Sequence, residues 1–383
     1  MEQTLNKLIP KLIALRKDLH KNFAELSGKE IQTTERILEY LKNRSSKVIR
    51  LKDTGVLEII SNGNANKRIL IRGDIDALPI REINEFEHKS IKNNISHKCG
   101  HDGHTTILLG LSDMLNEHPL EDLEILLLWQ AAEEIGAGAK MTLNKNSEYF
   151  QNIDQCFALH NLPGYKENQI IIHEGIFTPQ VKSLIIRVSG KTSHAGEPDK
   201  GINPSMLISD LIPFIKNLDQ FDQTKDDFFI SAPVYIKMGS IDYGITAGDA
   251  EIHYTLRAIR PEVFENKSNK IMNEVNKLSN DYGLEVEIDW TEEFYANVND
   301  KESVSLVKKA ASINGFEILD NGQAMRWGED FGLFTQKFRG SMFGLGIGED
   351  SPALHNPDYD FNDNIIKSGI KMFYSILEEI HKQ

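Results

Sequence analysis

Apolar positions along the chain follow two periods. Leu5, Leu8, Ile9, Leu12, Ile13 and Leu19 recur at helical spacing, and a second helical pattern covers 30–43, with capping candidates near Gln32 and Thr33. Short apolar runs then read as strands over 56–60, 68–72, 123–129 and 155–159, with a helix over 104–117 between the second and third. Such alternation predicts a mostly parallel sheet covered by helices on both faces. Between 180 and 293 the order changes. Strand 184–188, helix 204–218, strands 229–237 and 250–258, helix 262–281 and strand 284–290 spell β-α-β-β-α-β, a ferredoxin-like arrangement. The first rhythm returns with helix 301–313, strand 316–319, helix 329–337, strand 342–345 and a final helix 362–381. The expected fold is therefore α/β: a discontinuous larger domain of 1–179 and 294–383, and an inserted α+β domain of 180–293. Two neighbouring strands join the domains and could act as a hinge.

At 383 residues the chain exceeds the usual size of one core, which agrees with two domains. Its 43 basic and 57 acidic residues leave a formal net charge of −14. That balance repels phosphate backbones and anionic lipid, so neither nucleic acid nor a membrane surface is an expected partner. The N-terminal pattern interleaves Lys and Arg without the apolar run of a signal peptide, and the run 125–129 is too short to span a bilayer. A cytoplasmic protein is expected. Of the two cysteines, Cys156 sits inside an apolar strand and reads as a core residue, and a bridge to Cys99 is disfavoured in that compartment.

Cys99 belongs to the densest chemistry in the chain, His97-Lys98-Cys99-Gly100-His101-Asp102-Gly103-His104. Thiolate and imidazole are ligands that zinc and its first-row neighbours prefer. Other candidates follow strands: Asp74 and Asp76 after 68–72, Glu133 and Glu134 after 123–129, His160 after 155–159, and His355 after 342–345. In an open α/β sheet, ligand sites lie beyond the carboxyl ends of strands. Each residue alone reads as turn or core chemistry, and only their joint occurrence argues for one centre.

Seven collinear motifs carry a family resemblance: Arg72-Gly73-Asp74-Ile75-Asp76-Ala77-Leu78-Pro79, Cys99-Gly100-His101-Asp102-Gly103-His104, Gln130-Ala131-Ala132-Glu133-Glu134, Leu159-His160-Asn161, Ser193-His194-Ala195-Gly196-Glu197-Pro198, Gly328-Glu329-Asp330-Phe331 and Leu354-His355-Asn356-Pro357. From about residue 12 to the C-terminus the chain resembles the metal-dependent amidohydrolases of the aminoacylase/carboxypeptidase family. This is metallopeptidase family twenty, subfamily D, which includes hippurate hydrolase, indoleacetyl-amino-acid hydrolase and N-acetyldiaminopimelate deacetylase.

The resemblance implies two divalent ions (zinc, manganese, cobalt or nickel) on Cys99, His101, Glu134, His160 and His355. Glu133 would be the general base toward a metal-activated water. Asp74, Asp76 and Asp102 would support ligand imidazoles. The inserted domain would serve as lid and dimerisation domain, with a homodimer expected. From it His194 would meet the developing oxyanion. Arg257 would hold the substrate carboxylate or enter an interdomain salt bridge. His97 and His104 are left open between structure and site, and Glu329-Asp330 reads as a helix cap. The implied reaction is hydrolysis of N-acyl amino acids or similar small conjugates. Carboxypeptidase or dipeptidase action and an idle scaffold of the same fold stand as alternatives.

The chain also departs from the pattern. Relatives usually carry Asn-Val-Ile-Pro-Asp where this chain reads Gly244-Ile245-Thr246-Ala247-Gly248-Asp249, and Ala24 stands where proline is common. Other motifs fail on spacing. Gly190-Lys191-Thr192 lacks the glycine of a phosphate loop at Ile185, and Gly344-Leu345-Gly346-Ile347-Gly348 lacks the dinucleotide-binding spacing. Neither a Gly-x-Ser-x-Gly elbow nor a His-Glu-x-x-His helix occurs.

Overall fold

A computed structural model describes residues 2–61, 63, 65–320 and 322–383. The chain divides into two units, one of Met1–Phe177, Asn297–Gly322 and Glu329–Gln383, the other of Thr178–Ala296 and Gln323–Gly328.

The sheet of the larger unit runs, in spatial order, through Lys47–Arg50, Val56–Ile60, Leu123–Gln130, Lys67–Asp74, Gln155–Leu162, Arg339–Gly346, Ile170–Ile171 and Ile318–Leu319. Its four central strands are parallel. Antiparallel pairing flanks them on both sides. The central strands are buried on both faces, and so they read as continuous apolar runs such as Ile125–Trp129. Helix His101–Glu117 is buried along nearly all its length, against Glu2–Asn22 on one side and Ile365–His381 on another. Leu12, Leu15, Ile107, Leu111, Ile370 and Phe373 fill that junction, each contributing about 1.5–3 kcal/mol of burial.

In the smaller unit four antiparallel strands lie in the order Glu285–Phe294, Gln180–Ser189, Asp249–Ala258 and Phe229–Met238, with helices Ser205–Lys216 and Pro261–Tyr282 between them in sequence. This is the β-α-β-β-α-β order of a ferredoxin-like fold. Leu184, Ile186, Leu211, Ile252, Ile271 and Val275 form its core. Phe229–Met238 is an edge strand, and it carries Pro233 and a register shift, as edge strands tolerate.

Several bounds differ from the sequence reading. The helix after the Cys99 loop begins at His101 rather than 104, because Gly100 itself makes the left-handed turn (φ 91°) and Gly103 is absorbed into the first helical turn. Strand Gln155–Leu162 runs past His160 and Asn161, and the helix expected from 329 begins at Gly332. Gln323–Gly328, read with the larger domain, groups with the smaller unit. There Gln223 donates to the Ala324 carbonyl at 3.0 Å and Arg257 to the Arg326 carbonyl at 2.8 Å. Among the described residues no helix is long and apolar enough to cross a membrane.

Candidate metal centre

Strand ends of the larger unit deliver the polar residues. Lys67–Asp74 ends on Asp74, with Asp76 just beyond it, and Leu123–Gln130 leads through Ala131 and Ala132 to Glu133 and Glu134. The Cys99 loop closes against Gln155–Leu162 at Gly100, where a Cβ would fall 2.6 Å from Asn161 Oδ1, so that only glycine fits. His355 also adopts a left-handed backbone (φ 66°), and its N–H donates to the Lys98 carbonyl at 2.8 Å. His355 thus holds a conformation that non-glycine residues rarely adopt.

Among the described residues five groups of candidate ligand atoms result: Cys99, His101 and His160; Cys99, Glu134 and His355; His101, Glu133 and Glu134; Asp74, His101 and His104; and Glu133, Glu329 and Asp330. Cys99 Sγ lies 3.5 Å from His160 Nε2. His101 Nε2 lies 3.7 Å from Glu134 Oε1, and His355 Nε2 lies 3.6 Å from Glu134 Oε2. Both His101 Nε2 and Glu134 Oε1 are buried without a hydrogen-bond partner. Asp76 Oδ1, 3.1 Å from His101 Nδ1, fixes the far side of that ring. Asp74 lies 2.5 Å from His104 Nδ1, while His104 Nε2 accepts the Asn161 N–H at 3.3 Å, so both nitrogens of His104 are engaged. His97 is fully buried, neither ring nitrogen has a partner, and burial pulls its pKa down to about 4.

Too much negative charge is buried here for protein cations to balance. Burial, together with Glu134, Glu133 and Asp74, pushes the Cys99 thiol well above its ordinary range. Burial, Glu329, Glu134 and Asp330 push the Glu133 carboxyl up as well. Burial raises Glu134 to about 7, against His101 pulling it down. For His101, burial opposes the imidazolium, yet Asp74, Asp76 and Glu134 outweigh it and hold the pKa at about 10. Adding positive charge favours the ionised form of each of these carboxyl groups and of the thiol.

Residues 70–379 match the sequence profile described as peptidase family M20/M25/M40. The chain belongs to that family. Membership makes it a metal-dependent hydrolase of amide bonds. Among its relatives, the N-acetyldiaminopimelate deacetylase of Geobacillus sp. (strain WCH70) is 30% identical over 382 residues, covering 96% of this chain and 98% of the relative. The IAA-amino acid hydrolase ILR1-like 5 of Arabidopsis thaliana is 29% identical, covering 95% of this chain and 85% of that protein. The solved structure of the Bacillus subtilis YXEP protein, titled a dinuclear metal binding peptidase from the M20 family, superimposes with a TM-score of 0.83. It is 24% identical, with 98% of this chain and 99% of that chain covered.

Not every expected residue of this M20-family chain falls where the motifs implied. Asp102, expected beside a ligand imidazole, bonds His20 Nδ1 at 2.8 Å and lies 3.5 Å from Arg16. Consecutive helical residues point about 100° apart, so Asp102 cannot follow His101. At the helix starting at Gly332, Glu329 Oε1 accepts the Phe331 N–H at 3.0 Å, as a cap would, but Glu329 and Asp330 also receive Arg72, at 3.0 and 2.8 Å. In the smaller unit His194 is exposed, with Nδ1 accepting the Gly196 N–H at 3.0 Å, and Arg257 spends a guanidinium N–H on the Arg326 carbonyl. Sequence reading also missed Arg72 and Glu30 as structural partners of the Glu133 turn, since no local pattern ties either to its partners.

Proposed function

We propose that this protein hydrolyses the amide bond of N-acyl amino acids, with two divalent cations on Cys99, His101, Glu134, His160 and His355 and with Glu133 as general base. One observation carries the reading. His101 Nε2 and Glu134 Oε1 are buried, 3.7 Å apart and without hydrogen-bond partners, which is costly unless a cation satisfies both. The other Glu134 oxygen lies 3.6 Å from His355 Nε2, so that imidazole and the same carboxylate would both be at hand to hold a cation. The donor set fits: thiolate and imidazole suit zinc, and carboxylate with imidazole also admits manganese, cobalt and nickel. When bound, such ions lower the pKa of water and polarise a carbonyl.

The chain's own residues supply the rest. Glu133 is buried beside Glu134 and lies outside the five ligand positions that the family resemblance implies, so its carboxylate is available to take a proton from the attacking water. The water oxygen bonds to the acyl carbon, the C–N bond breaks, and Glu133 passes the proton to the departing amine nitrogen. A free amino acid and a carboxylic acid result. The acyl amino acid class is supported by what the relatives are named for, deacetylation and IAA-amino acid hydrolysis. The oxyanion role of His194 rests on the family resemblance. A homodimer through the smaller unit is supported by its edge strand, where Val234, Tyr235, Ile236 and Met238 are exposed.

The test is amino-acid release from a panel of N-acetyl, N-benzoyl and indoleacetyl amino acids and simple dipeptides, metal-stripped and with each metal restored. Turnover is expected only with metal, and Glu133→Ala should lower kcat about 10²–10⁴-fold. Dipeptides outcompeting every blocked substrate would turn the assignment to a peptidase. Equal inertness of wild type and variant with metal bound would sink the catalytic assignment. Solution mass of the same preparation reads the dimer, and a monomer refutes it.

A further inference from the structure

Ala132, the residue before Glu133, holds a left-handed backbone (φ 58°) that alanine rarely adopts. Something must hold the turn. Its carbonyl accepts the Gly138 N–H at 2.9 Å, and a Cβ on Gly138 would fall 1.9 Å from the Ala131 carbonyl oxygen. The Ala132 N–H, on the other side, ends on Glu30 Oε1 at 2.8 Å. Glu30 is completely buried. Its Oε1 also accepts the Gly28 N–H at 2.7 Å, and Oε2 accepts the Thr54 hydroxyl at 2.5 Å. Two residues further on, the Glu134 N–H ends on Asp76 Oδ2 at 3.0 Å, and Asp76 accepts the Ser27 hydroxyl at 2.7 Å as well. The amides on both sides of Glu133 thus end on buried carboxylates from distant parts of the chain. Asp76 already serves His101, whereas Glu30 touches no ligand candidate and has no other evident task.

We propose that Glu30 is a positioning residue, whose carboxylate fixes the Ala132 peptide and thereby aims Glu133 and Glu134 into the centre. The proposal rests on the functional reading above for the roles of those two glutamates. It makes Glu30 matter as a hydrogen-bond acceptor rather than as a charge. All three of its donors are neutral, and among the described residues no ion pair reaches it. A glutamine there can turn its carbonyl oxygen to the two N–H groups and its amide to Thr54, which reverses its hydroxyl.

The experiment compares Glu30→Ala and Glu30→Gln by three readouts: steady-state kinetics well below the melting temperature, competition of bound zinc with a chromophoric chelator, and amide exchange at Ala132 in the metal-free chain. Expected for Glu30→Ala are a kcat about 10²-fold lower with KM within about threefold, zinc held at least tenfold more weakly, and Ala132 exchange at least tenfold faster. Glu30→Gln should stay within about threefold of wild type on all three. Should Glu30→Ala not fold, Glu30→Asp, one methylene too short, carries the same expectation. Unchanged zinc affinity and Ala132 exchange in the shortened variant overturn the proposal, and so does a Glu30→Gln as damaged as Glu30→Ala. Wild type inert on every substrate, with the zinc and exchange differences present, removes the functional reading and leaves the clamp standing.

Discussion

Arg72 in the larger unit and Arg187 in the smaller each face three carboxylates. In the larger unit Arg72 reaches Asp74 at 2.6 Å, Asp330 at 2.8 Å and Glu329 at 3.0 Å, with its Nε on Gln130 at 3.1 Å. In the smaller unit Arg187 pairs closely with Asp289 and lies 3.7 Å from Glu287 and 3.8 Å from Glu251. The partners match in number and type, but Arg72 is inaccessible to water while Arg187 is 41% exposed. Their consequences therefore differ in kind. The Arg72 cluster sets the frame of a site, because Asp74 also meets His104, and Glu329 and Asp330 stand within ligand distance of Glu133. Asp330 further accepts from Gln130 and from the Ala139 N–H at 2.8 Å, which ties the segment after Glu134 to the same knot. The Arg187 cluster decorates the open face of a sheet.

The sharpest way to break the comparison is to remove the buried guanidinium while keeping its volume. Arg72→Met leaves three carboxylates buried without their cation, and this should cost about 3–5 kcal/mol. Urea unfolding of metal-free protein at neutral pH measures it. Burial, helped by Glu329 and opposed by Arg72, already holds Asp330 at about 7, so losing Arg72 pushes it higher still. The deficit should accordingly narrow at pH 5.5, where the orphaned acids can take up protons. An equal deficit at both pH values would mean that lost packing, rather than unpaired charge, is what the substitution exposes.

Such clusters also mark where the sequence stopped being legible. The four central strands could be read because burial on both faces leaves an apolar run with no alternation to misjudge, as in 123–129. Cys99, His101, Glu134 and His160 could be singled out as ligand candidates because ligand chemistry is confined to few residue types, and the fold brings their donor atoms together. The start of the central helix could not, since Gly100 and Gly103 both signal a loop and only the first makes one. Glu30 and Arg72 could not either. Glu30 accepts from Ala132, 102 residues away, and Arg72 donates to Asp330, 258 away, and buried pairings between such distant residues leave no periodicity. Asp102 was misread for a related reason: its neighbour His101 faces the site, but one step of a helix turns Asp102 toward His20.

That His20 cluster is a second buried network in the larger unit, and it gives the comparison a pH axis. His20 is fully buried, with Nδ1 2.8 Å from Asp102 and Nε2 3.2 Å from Glu82. Burial opposes the imidazolium, but the two carboxylates outweigh it and raise the pKa to about 9 from an ordinary value of 6.5. A folded-state pKa above the unfolded one stabilises fully below pH 6.5, and that contribution is lost as pH rises through 9. The shift corresponds to about 3 kcal/mol. Other buried groups titrate over the same range, so the quantity to follow is the stability difference between wild type and His20→Gln. It should shrink by about that amount between pH 6 and pH 9.5, and a difference independent of pH would show that His20 is held neutral.

Arg187→Met should produce the smallest effect and is the control that gives the other two their meaning. Its guanidinium and carboxylates keep most of their hydration, so the folded state gains little from their pairing, and each side chain gives up rotamer freedom to hold it. Asp289 is 49% and Glu287 69% exposed, so neither is stranded when the arginine goes; water takes its place. The urea midpoint of Arg187→Met should match wild type within error at low and at high salt alike. Added salt should leave the Arg72→Met deficit nearly untouched too, because buried charges are screened far less than exposed ones. If Arg187→Met instead destabilised the protein at low salt and recovered at high salt, the three acids on that face would be repelling one another strongly enough to need their cation. Burial would then no longer be what separates the two arginines.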